Sequence, residues 1–130
     1  MTDYTIRTTV ARPYEDTVEA VRTQLGETGF GVLTEIDIKA TLKKKLDVDV
    51  TPQIILGACR PQLAHRALEA EPSIAALLPC NVVVRGDGDR SVVSILDPQL
   101  MSSVTDLPAM ATLADEASTR LDAVLRSLAG

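Results

Sequence analysis

Cys59 and Cys80, the lone His65, and Asp97 ahead of Pro98 are the residues whose types and positions invite chemistry. Cys59 ends the apolar run Gln53-Ile54-Ile55-Leu56-Gly57-Ala58, and Cys80 stands just before Val82-Val83-Val84. Both thiols therefore fall at strand ends, where sites gather. A helix beginning near Pro61 presents unpaired backbone N–H groups beside Cys59, and Arg60 adds a positive charge; both favour a thiolate there. Two such thiols suit a soft metal ion, copper or zinc, or a dithiol–disulfide cycle, and Met101 offers a thioether to a copper(I) site. The plain alternative is that each cysteine packs as a small hydrophobe.

His65 does not complete a Cys-Cys-His set. On the helix after Pro61 the apolar stripe is Leu63, Ala64, Ala67 and Leu68. At about 100° per residue His65 points well away from that stripe, toward solvent. No nucleophile elbow, phosphate loop, metalloprotease helix or dinucleotide fingerprint occurs. A Cys59 nucleophile with Asp97 as its acid–base partner stays open, so whether the chain is an enzyme is not decided by these residues. An aspartate before proline ordinarily caps a turn.

These residues must be positioned by a chain of 130 residues, 45% apolar and 24% charged, which reads as one globular domain over residues 1–130. A net charge of −5 and 2% aromatic content exclude a basic, base-stacking nucleic-acid surface and disfavour anionic membranes. The first residues carry no signal-peptide apolar run, so a cytoplasmic location is expected, and with it reduced cysteines. Lys43-Lys44-Lys45 lies among Glu35, Asp37, Asp47 and Asp49 and reads as a solvated face.

Alternation of Tyr4, Ile6, Thr8 and Val10 predicts a first strand, and Tyr14, Val18, Val21 and Leu25 a helix after Pro13 that ends between Gly26 and Gly29. A second strand over Phe30–Ile36 leads to Asp37, which can cap a short helix through Leu46. The run up to Cys59 predicts a central strand covered on both faces. Pro61 starts a helix that Pro72 breaks before a short turn through Leu78. Val82–Val84 and Val92–Ile95 flank Gly86-Asp87-Gly88-Asp89-Arg90 and form a β-hairpin. Pairing Arg85 with Ser91 sets Cys80 opposite Leu96 and near Asp97. A helix with a returning turn between Cys59 and Cys80 leaves both at the same sheet edge; a single helix does not. A long helix after Pro108 closes the core. The fold class is α+β: a two-layer sandwich with a mixed or antiparallel sheet of about five strands and the C-terminal helix on one face.

Glu35-Ile36-Asp37-Ile38-Lys39-Ala40-Thr41-Leu42, Ile55-Leu56-Gly57-Ala58-Cys59, Leu78-Pro79-Cys80-Asn81-Val82-Val83-Val84 and Asp97-Pro98 together resemble the bacterial and archaeal family called domain of unknown function 302. The resemblance spans essentially the whole chain and implies a small α+β domain that forms a homodimer, with no reaction attached. The family's Gly-Ala-Cys-Asn-Pro is Gly57-Ala58-Cys59-Arg60-Pro61 here. That exchange removes a helix-capping amide and adds a charge.

Cys59, Arg60, Cys80, Asn81 and Asp97 are therefore the candidate ligand-binding set, with Cys59 and Cys80 as the metal or redox pair. The leading expectation is a two-cysteine site for a soft metal or for thiol redox sensing. The alternative is a non-catalytic dimeric module that binds a small apolar ligand or a protein, with cysteines that merely pack.

Overall fold

The computed structural model describes residues 4–129. Five strands, β1 (Thr5–Val10), β2 (Gly31–Asp37), β3 (Gln53–Cys59), β4 (Cys80–Asp87) and β5 (Arg90–Leu96), form one sheet in the order β1-β5-β4-β3-β2. Every neighbouring pair is antiparallel. The helices are α1 (Tyr14–Glu27), α2 (Ile38–Leu46), α3 (Pro61–Ala70), α4 (Leu100–Val104) and α5 (Pro108–Ala129), with a short 3-10 turn at Pro72–Leu77. The α+β sandwich expected from the sequence is the observed fold, and α5 packs on the sheet as anticipated.

Local sequence accounts for most of these elements. Thr5–Val10 alternates, so Ile6 and Val10 face the core beneath the sheet. The helix α1 buries Val18, Val21 and Leu25 at helical spacing, and it carries the chain from one sheet edge, β1, to the other, β2. Its buried Thr17 hydroxyl donates to Pro13 O at 3.0 Å, which satisfies that polar group inside the packed layer. Asp37 caps α2 by accepting from Ala40 N at 2.9 Å.

The hairpin differs from its expected register by one residue. Arg85 pairs with Val92, not Ser91, because the strands run on to Asp87 and Arg90 and leave only Gly88-Asp89 as the turn. Gly88 has φ +64° while Asp89 stays outside the left-handed region, the pattern of a type II′ turn, whose twist matches antiparallel strands. The central strand is also covered less evenly than expected. Ile54, Leu56 and Ala58 are buried on the helical side, whereas Ile55 on the other face is half-buried.

The buried side chains form two clusters. One lies between the sheet and helices α1 and α5, with Val21, Leu25, Leu56, Val82, Ile95 and Leu121 at its centre. The other joins α3, the 3-10 turn and the first half of α5 through Leu63, Ala67, Ile74, Met110, Leu113 and Ala117. Among the described residues no helix is long and apolar enough to cross a membrane.

Candidate ligand site

Ala58 on β3 pairs directly with Cys80 on β4, so the helix and 3-10 turn between them do return the chain to the edge it left. The two cysteines occupy neighbouring positions on adjacent strands. Cys80 lies level with Ala58, on the core side, and Cys59 stands one position beyond Ala58 at the end of β3. Cys59 itself pairs with Gly31 across β2, and both cysteines are free thiols.

The Cys80 Sγ donates to Leu96 O at 3.9 Å, a long contact that keeps it beside the residue the hairpin reading anticipated. Burial pushes the Cys80 thiol up to about 12. At neutral pH it is a protonated, half-buried group packed against the larger core cluster.

Around Cys80 the end of the sheet, α3, α4 and α5 leave a cavity of about 80 Å³. Ala58 and Leu96 form its sheet side, and Ala67, Leu113, Ala117 and Leu121 its helical side. Met101 on α4 lines it as well, so Met101 and Cys80 border the same space. Cys59, Arg60 and Asp97 complete the ionisable groups in its wall. Four of the five candidate residues thus meet at one cavity. Asn81 does not, because it pairs with Gly57 on the opposite face and is exposed.

Each polar group at this mouth has an identifiable local role. Asp97 Oδ1 accepts from Gln99 N at 3.0 Å and its carbonyl accepts from Leu100 N at 3.0 Å, which starts α4; this is the turn-capping role. Arg60 is the N-cap residue of α3 and makes no side-chain cap bond, the consequence expected of an arginine where an asparagine would cap. Its guanidinium instead reaches across to Gly29, φ +88°, where an added Cβ would come within 2.6 Å of Arg60 Nη1. His65 is 75% exposed and 3.9 Å from Glu69, outside the site as its helical phase predicts.

Arg66, Glu116 and Arg120 join the site without any advance signal beyond the Glu116–Arg120 spacing of four on one helix. Glu116 Oε1 accepts from Arg66 Nη2 at 2.8 Å, while its Oε2 lies 3.6 Å from Arg120 Nε and 3.9 Å from Arg60 Nε. The Arg66 hydrogen bond, helped by the neighbouring guanidinium charges, holds the Glu116 carboxyl below the usual carboxylate range.

A copper or zinc ion binds thiolate, so at Cys80 it would have to displace the proton that burial holds on the thiol. Among the described residues no group of three or more His, Cys, Asp or Glu is arranged to hold a metal ion.

Comparison with known proteins agrees with this architecture and adds no chemistry. A crystal structure of an uncharacterized conserved protein DUF302 from Bacillus stearothermophilus superposes with a TM-score of 0.89 at 27% identity, covering 98% of this chain and 99% of the other. No curated protein matches the sequence. The family described as domain of unknown function DUF302 matches residues 6–128, and the chain belongs to that family.

Proposed function

We propose that this domain is a non-catalytic binding module whose cavity at the end of the sheet receives the apolar part of a small molecule. The observation that carries this reading is the cavity itself: about 80 Å³, lined mostly by Ala, Leu and Met, with the protonated Cys80 thiol in its wall. An apolar cavity of about 150 Å³ stays dry and takes up benzene, so the volume here suits a chain of a few carbons. A protonated thiol packs there as a small hydrophobe and offers neither a nucleophile nor a ready metal ligand.

Titration of the isotope-labelled protein with pentan-1-ol tests this directly. Chemical-shift changes should concentrate on Leu113, Ala117, Leu121 and Cys80, and Ala64→Leu, which extends a wall residue into the cavity, should abolish them. Diffuse surface shifts that survive Ala64→Leu would remove the proposal.

A further inference from the structure

We infer that the ligand is a small amphipathic carboxylate, with its charged end selected by Arg60 at the mouth of the cavity; this rests on the cavity being a ligand site. The chain as a whole is acidic, at −5, yet three arginines converge here on a single carboxylate, Glu116. Only Arg66 hydrogen-bonds it, at 2.8 Å. One carboxylate does not neutralise three guanidinium groups, so the cluster keeps a net positive charge. Arg120 spends one nitrogen on Thr28 O, at 3.3 Å, at the C-terminal end of α1.

The hydrogen-bond inventory points to the same place. Among the described residues just two buried side-chain nitrogen or oxygen atoms lack a hydrogen-bond partner, and they are Arg60 Nε and Arg120 Nε. Buried donors are almost always satisfied, and leaving a charged one unsatisfied is costly. Both face Glu116 Oε2 from beyond hydrogen-bond distance. Glu116 therefore cannot serve all three arginines at once.

Arg60 is the member of this cluster that also lines the cavity, and its side chain is 17% exposed. A guanidinium binds a carboxylate through two parallel hydrogen bonds, and the cluster already holds one carboxylate, so a ligand carboxylate competes with Glu116 on equal chemical terms. The apolar chain would enter the cavity while the carboxylate stays at Arg60. Asp97, the acid in the wall, has Oδ1 engaged by Gln99 N in its turn, and its negative charge opposes a carboxylate placed beside it, so the ligand's charged end belongs on the Arg60 side of the mouth.

Pentanoate, pentan-1-ol and pentylamine share a chain and differ in charge, so their relative affinities report the headgroup alone. For the unmodified protein, pentanoate should bind about tenfold tighter than pentan-1-ol, roughly 1.4 kcal/mol, and pentylamine weakest. Arg60→Gln should bring pentanoate within about twofold of pentan-1-ol, Arg60→Lys should keep part of the preference for the acid, and an unaltered urea midpoint certifies an intact fold. Glu116→Gln, by removing the competing carboxylate, should tighten pentanoate and not the alcohol. Equal binding of acid and alcohol, or a preference that survives Arg60→Gln, overturns the inference while the cavity reading stands. Failure of all three compounds to bind overturns both.

Discussion

The two buried clusters of this small fold differ in composition and are packed to different ends. Beneath the sheet, Leu56, Val82, Val84, Val93 and Ile95 from three strands are fully buried against Val21, Leu25 and Leu121. The second cluster, Leu63, Ala67, Ile74, Met110, Leu113 and Ala117, joins α3, the 3-10 turn and α5, and is flanked by α4, which buries none of its residues. The cavity lies at the seam: Ala58 and Leu121 belong to the first cluster, and Ala67, Leu113 and Ala117 to the second. Small side chains at a seam leave space because the strand layer and the helix pair are each internally satisfied. The first cluster thus fixes the fold, and the second is free to shape a site.

Paired truncations should break or uphold that division. Leu56→Ala removes a fully buried side chain at the centre of the sheet and should cost about 3–4 kcal/mol of stability. Leu113→Ala removes a side chain that already faces the cavity and has fewer partners to lose, so about 2 kcal/mol is expected. Urea midpoints at constant m-value measure both. Equal losses would mean that the two clusters are one cooperative core. Leu113→Ala should also widen the cavity and shift preference toward longer chains.

Cys80 sits on the boundary and reports how dry it is. Its thiol is raised to about 12, so between the ordinary thiol range and that value the folded protein holds a proton the unfolded chain has released. The contribution is fully present below the unfolded pKa and is lost as pH rises, at up to about 1.4 kcal/mol per pH unit. Cys80→Ala should flatten this alkaline limb relative to the parent. If both proteins lose stability in parallel above pH 9, the thiol is wetter than its packing implies.

Much of this arrangement is legible in the sequence, and what is not has a common cause. Period-two alternation locates the first two strands and period 3.6 the long helices, since one buried face dictates the repeat, while continuous β-branched runs locate the strand up to Cys59 and the hairpin arms. Hairpin topology brings Cys80 to Leu96 and Asp97 even though the register is off by one, because Gly88 can supply a tighter turn than the glycine-rich loop suggests. The cavity, α4 and the Arg60–Arg66–Arg120 cluster are invisible by comparison. They depend on how far α3 and α5 stand apart, and on contacts such as Arg66 to Glu116 that join residues fifty positions apart. Strand order brings Cys59 and Cys80 to neighbouring positions at one end of the sheet, and both border the cavity, whose shape the strand pattern alone does not give.

The smallest expected effect separates the clusters by pH. Glu71 precedes the 3-10 turn of the second cluster and accepts from Ser73 Oγ at 2.7 Å and Ser73 N at 3.0 Å. These hydrogen bonds hold its carboxyl below the ordinary glutamate range. A depressed carboxylate stabilises the fold above its unfolded pKa, and the contribution fades as pH falls through the lower folded value. Glu71→Ala should therefore melt slightly below the parent at pH 7, and the gap should close as the pH is taken below about 4. Hydrogen exchange should be faster in the variant at the 3-10 turn and at Leu78, and unchanged at Val82 and Val93, which are buried in the first cluster. Faster exchange at those two strand residues would show that the turn and the sheet open together, and the cavity would then belong to the body of the fold.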